Sequence, residues 1–103
     1  MDFQGTWHIY EMEMWGEDYF NMEVQAYIKI GSDNRGSFQF GLVSGQIDGE
    51  IAGKKFEFTW EGNDECDPAH GSGWVRLKGK DLLEGQFRIH DGDSSTFMAR
   101  RAK

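Results

Sequence analysis

The sequence predicts an all-β chain, a single antiparallel up-and-down meander barrel of about eight strands that takes residues 1–103 as one domain. Three observations predict it. Apolar residues alternate with period two along nearly every apolar stretch. The segments between these stretches are short and hold Gly, Asp, Asn and Ser, the residues of tight turns. Glycine supplies 14 of 103 residues, which disfavours long helices.

The elements follow in chain order. Residues 5–13 make the first strand; an inward Trp7 brings Ile9, Glu11 and Glu13 inward too, unless a bulge turns Met12 and Met14 into the core. The clearest alternation is Phe20, Met22, Val24, Ala26, Ile28 and Ile30, read as one strand with a single core face. Phe38-Phe40-Leu42, Ile47-Gly49-Ile51 and Phe56-Phe58-Trp60 supply three more. Residues 73–78 have two registers. Val75 and Leu77 inward is favoured on burial and leaves Trp74 outside, whereas the other register brings in Trp74 and Arg76, and an Arg76–Glu11 pair would then satisfy both charges and suggest a polar pocket. Leu83-Gly85-Phe87-Ile89 and Phe97-Ala99 complete the set. The connections at 31–36, 44–45, 53–55, 79–81 and 91–94 are short enough to make successive strands antiparallel neighbours. Closure shields the apolar faces and removes both sheet edges; a sandwich of two meander sheets is the alternative.

Charge narrows the function classes. Eighteen acids against eleven Lys and Arg give −7 and a pI near 4.8, which argues against nucleic-acid and anionic-membrane partners. No apolar run approaches a membrane span, and Met1–Gly5 lacks the basic and apolar regions of a signal peptide. A lone Cys66 makes no intrachain disulfide. The expectation is a cytoplasmic chain.

Gly5-Thr6-Trp7 in the first strand and Phe97-Met98-Ala99-Arg100-Arg101 in the last resemble the calycin-type barrels, lipocalins and avidins. The resemblance implies that Trp7 plugs the closed end and that a basic residue near the C-terminus packs across it. Arg101 shares a phase with Phe97 and Ala99 and is the first choice for that residue, with Arg100 second. Lipocalins are usually longer, are secreted and carry a helix after the barrel; the avidin biotin residues find no positional match, and no ligand is carried over. Gly71-Ser72-Gly73-Trp74 together with His90–Phe97 is also similar to small uncharacterised bacterial proteins, which implies a family without an activity.

Strand alternation sorts the connections into two ends of opposite charge. Residues 13–18, 43–46, 61–72 and 90–94 gather nine acids and no Lys or Arg, a formal −9, whereas 29–36, 52–55, 78–81 and the termini sum to +6. Solvation accounts for such charges by itself. The acidic mouth, however, is also expected to hold Trp15, Trp60 and Trp74 and the longest connection, 62–72, and indole faces beside carboxylates favour cations. Core or rim packing is the plain alternative for the tryptophans.

Within 62–72, Asp64, Glu65, Cys66, Asp67 and His70 are metal-binding residue types, but their spacing fits neither an EF-hand nor a four-ligand zinc site, and no metal or other cofactor is assigned. Glu65 and Asp67 disfavour a thiolate nucleophile at Cys66, and no phosphate loop or nucleophile elbow stands out, so no catalytic residue is assigned. The expected function is a non-enzymatic binding module. Its candidate site is Trp15, Trp60, Trp74, Asp64, Glu65, Asp67, His70, Arg76 and Glu11, for a small cationic or amphipathic molecule or a basic peptide. The alternative is a protein–protein interaction module with a filled barrel.

Overall fold

In the computed structural model, which describes residues 3–102, eight strands close into one antiparallel barrel in chain order. They are β1 (Gly5–Met12), β2 (Tyr27–Ile30), β3 (Arg35–Phe40), β4 (Val43–Ala52), β5 (Lys55–Asp64), β6 (Asp67–Leu77), β7 (Leu82–Ile89) and β8 (Ser94–Arg101), and β1 pairs with both β2 and β8. Asp2 and Lys103, counted above at the basic end, lie outside the described residues.

Period-two alternation puts one side of each strand inside. On β5, Phe56, Phe58 and Trp60 are buried while Glu57, Thr59 and Glu61 face solvent. β1 keeps its phase only to Ile9. Its pairing with β8 then shifts between Ile9 and Glu11, and this bulge turns Met12 inward and leaves Glu11 exposed. Met14 lies beyond the strand and is exposed.

The strand expected over 20–30 is corrected. Only Tyr27–Ile30 is strand; Glu17–Phe20 form one turn of helix, α1, and Met22 and Val24 are exposed. Glu17 and Asp18 open the helical turn at its positive end, and Asn21 Oδ1 then accepts the Ala26 N–H at 2.8 Å. These polar contacts hold the chain across the barrel end, although the apolar spacing alone reads as a strand.

The interior is built from large side chains opposite glycines. Phe38 pairs with Gly45, Phe58 with Gly49 and Gly73, Trp60 with Gly71, Phe87 with Gly73 and Phe97 with Gly85. A methyl group built at Gly49 would stand 2.6 Å from the Phe56 ring, and one at Gly85 2.9 Å from that of Phe97. Ring contacts run continuously through Phe40, Phe38, Phe87 and Phe97, stacked within the pairs Phe38–Phe40 and Phe87–Phe97 and tilted between them, with Trp60 edge-on to Phe38 at 5.1 Å. An eight-strand barrel is only just wide enough for such a core, so glycines are needed where the rings are thickest. Among the described residues, no helix is long and apolar enough to cross a membrane.

Candidate functional site

The barrel's two ends are closed differently. At the end where β1 begins and β8 finishes, Trp7 is fully buried and its indole N–H donates to the Phe3 carbonyl at 3.0 Å. The Arg101 guanidinium lies 4.1 Å from the Trp7 ring centroid, and its Nη1 donates to the Gln4 carbonyl at 2.9 Å. Its Nε reaches Asp81 at 3.2 Å. Arg100, one residue earlier, points the other way and lies over Tyr10 on the outer wall at 4.3 Å. Strand alternation therefore sends two adjacent arginines to two different aromatic partners.

At the opposite end, the expected acidic mouth, residues 13–26 cross the opening. Trp15 lies 5.1 Å from Phe40 and 5.9 Å from Tyr19, and Phe20 is buried beneath. The Phe20 carbonyl accepts the Gly41 N–H at 2.9 Å. This connection, rather than 62–72, is the longest. The latter is a corrected element: β5 and β6 stay paired to Asp64 and Asp67, leaving Glu65 and Cys66 as a two-residue turn in which Glu65 takes φ 58°.

The expected site residues separate accordingly. Trp15 and the Asp64–Asp67 hairpin tip lie at the acidic end. Trp60 is a core residue, 3% exposed, with its N–H on the Arg88 carbonyl at 3.3 Å. Trp74 is half-buried on the outer wall, between Glu57 and Gln86 on the neighbouring strands, with the Lys55 ammonium 4.3 Å from its ring centroid. Val75 takes the inward position. Arg76 and Glu11 are both exposed and do not form the internal pair considered above; Arg76 instead bonds Glu84, which also meets Lys78 at 3.4 Å. The hydrogen bond from Arg76, helped by the charges of Arg76 and Lys78, holds the Glu84 carboxyl below its ordinary value despite some desolvation.

His70 is on the outer wall, stacked on His90 with ring centroids 4.6 Å apart, while His90 Nε2 lies 3.4 Å from Asp91. Among the described residues, no group of three or more His, Cys, Asp or Glu side chains is arranged to hold a metal ion.

The interior offers a ligand little polar purchase. Ser95 is the one fully buried polar residue among those described, and it is satisfied: its Oγ accepts from the Met14 N–H at 3.1 Å and donates to the Thr96 carbonyl at 2.8 Å. No buried side-chain polar atom among the described residues lacks a partner. Ligand pockets usually aim a few polar groups at their occupant. The broad concavities run along the outside instead, and Trp74 borders two of them. Sequence reasoning missed this wall because it assigned Trp74 to an end. The favoured register of 73–78 carried the signal, since an outward Trp74 in mid-strand must stand on the barrel wall.

These features define a closed eight-strand up-and-down barrel with an aromatic core. No family model, curated protein or solved structure matches the chain.

Proposed function

We propose that this barrel is a non-enzymatic protein–protein interaction module that works through its outer surface. One observation carries the reading: the space where a calycin-type barrel would hold a ligand is occupied by Phe38, Phe40, Phe58, Trp60, Phe87 and Phe97, packed against inward glycines. The dispersal of Trp15, Trp60 and Trp74 supports it, because the aromatic faces expected to converge on a small cation at the mouth do not converge. Kinship with the lipocalin and avidin barrels belongs to the same proposal. The Trp7–Arg101 contact supports it, and on that view this chain keeps the plugged end and has lost the cavity. The similarity to small bacterial proteins and a cytoplasmic location complete the reading, the latter supported by the lone Cys66.

Methyl NMR tests the proposal. The Ile28, Val75 and Leu83 side chains are fully buried and report on the interior. Fatty acids, quaternary amines and polyamines are expected to leave their resonances in place. Saturable, stoichiometric shifts of these methyls by any of the small molecules would overturn the reading in favour of a ligand-carrying barrel.

A further inference from the structure

Trp74 stands between two grooves on the outer wall. Asp48 and Glu50 of β4 with Glu57 of β5 line one of about 570 Å³. Glu11 of β1 and Glu13 just beyond it, with Met98 of β8 and Glu84 of β7, line the other, of about 440 Å³. Glu84 is neutralised by Arg76 and Lys78, whereas among the described residues no ion pair engages Asp48, Glu50, Glu57, Glu11 or Glu13. Glu50 and Glu57 are direct cross-strand partners, and like charges so placed repel. The nearby Lys55 does not form an ion pair with either carboxylate; its ammonium lies over the Trp74 ring. The wall thus combines two carboxylates set directly opposite each other with an indole that already attracts cations, Lys55 at 4.3 Å and the Arg76 guanidinium at 5.9 Å from its ring centroid.

The geometry points to a docking site for an extended basic segment of a protein partner, laid across Trp74 with Lys or Arg side chains entering the grooves on both sides. This rests on the interaction-module reading and adds the surface and the partner's chemistry. Charge complementarity selects the occupant: cations relieve the Glu50–Glu57 repulsion and meet Glu11 and Glu13, which no ion pair engages among the described residues although the Thr96 hydroxyl donates to Glu13 at 3.5 Å. Length fits as well. Four strand spacings separate β5 from β1, roughly 19 Å along the wall, which about six extended residues span.

The test is fluorescence anisotropy with a labelled octa-lysine peptide and its fully acetylated counterpart, on the whole chain at low and physiological salt. The unmodified peptide is expected to bind saturably and more weakly as salt rises, and the acetylated peptide not to bind. Trp74→Leu keeps apolar bulk without the indole face and is expected to weaken binding about threefold to tenfold. Glu50→Gln with Glu57→Gln, and Glu11→Gln with Glu13→Gln, are each expected to weaken it by a similar factor. Asp64→Asn with Asp67→Asn at the hairpin tip is expected to change it less than about twofold, as charges beyond a Debye length are screened. The Glu50→Gln, Glu57→Gln variant removes a repulsion and is expected to melt no lower than the parent, so its loss of binding is not a loss of fold. Equal losses from wall and tip variants, no effect of Trp74→Leu, or no binding by the unmodified peptide would overturn the site. None of these results moves the interior methyls, whose response to small molecules decides the underlying reading separately.

Discussion

The closed end and the covered end of the barrel reach the same result, exclusion of water from the aromatic core, by different means. At the closed end the seal is a strand residue. Trp7 is fixed by β1, bonded through its indole N–H and covered by Arg101, which β8 positions. At the covered end the seal is residues 13–26, outside the ladder for most of their length. Their ties include the Gly41 N–H to the Phe20 carbonyl, the Leu42 N–H to the Tyr19 hydroxyl at 3.4 Å and the Met14 N–H to Ser95 Oγ. A seal made by the sheet breaks only when the sheet breaks, whereas one made by an irregular segment can open by itself.

The largest effect that separates the two ends is expected from truncating their tryptophans. Trp7→Ala should destabilise by about 3–5 kcal/mol, the range for deleting a fully buried large aromatic. Trp15→Ala, at a half-buried position, should cost less than half of that. Denaturant melts check the ranking, and equal losses would mean that the ends are equivalent.

Gly41 sharpens the comparison. Its φ is +59°, and a Cβ there would collide with the Tyr19 ring. Gly41→Ala should therefore cost about 1–2 kcal/mol through the left-handed backbone, with a further loss from lifting Tyr19. Amide exchange should show the damage confined to residues 13–26 and their contacts, with the β1–β8 ladder protected as before.

Arg101→Leu probes the closed end in turn. It keeps bulk over Trp7 but removes the guanidinium, so a cation–π contact of about 0.5–2 kcal/mol and the bond to the Gln4 carbonyl are lost. Arg100→Leu, on the outer wall over Tyr10, is expected to cost less in the same melts.

The smallest effect belongs to Glu84, remote from the main end seals. The Arg76 hydrogen bond holds its carboxyl below the ordinary value, so it binds fewer protons folded than unfolded in the acid range. The stabilisation is present above the ordinary carboxylate value and is lost as pH falls through the lower folded value. Glu84→Gln should cost less than about 1 kcal/mol at pH 7 and nothing at about pH 2. Urea melts at the two pH values read the difference directly.

The walls of this barrel were legible because strand alternation is a local signal. Phe56-Phe58-Trp60 and Leu83-Gly85-Phe87 announce their inward faces, and Val75 follows from burial alone. The covered end was not legible from the same pattern: Phe20, Met22, Val24 and Ala26 have strand spacing, yet Asn21 and the acidic helical turn divert the chain. Gly16-Glu17-Asp18, an acidic start to a helical turn, was the available signal. The candidate site residues come apart for a related reason. Assigning 62–72 to a loop placed Trp60 and Trp74 at its rim, but the ladder runs on to Asp64 and Asp67, leaving one tryptophan in the core and the other on the wall. The charges of each segment were readable by counting; where the aromatic faces point depended on how far each strand extends.

The central claim is that the barrel is full, and the uptake of a small apolar probe tests it most directly. Benzene and xenon enter dry apolar cavities large enough to hold them. Phe87 stacks on Phe97 at 4.7 Å and lies at the same distance from Phe38, so Phe87→Ala opens a hole in the middle of the core, and the milder Phe87→Leu serves if the alanine variant does not fold. Benzene titrated into the parent protein, followed through the Val75 and Leu83 methyls, is expected to produce no saturable shift, while the Phe87 variant shifts and gains thermal stability. Saturable uptake by the parent would contradict the account, because it would reveal an internal cavity among the glycines and aromatic rings.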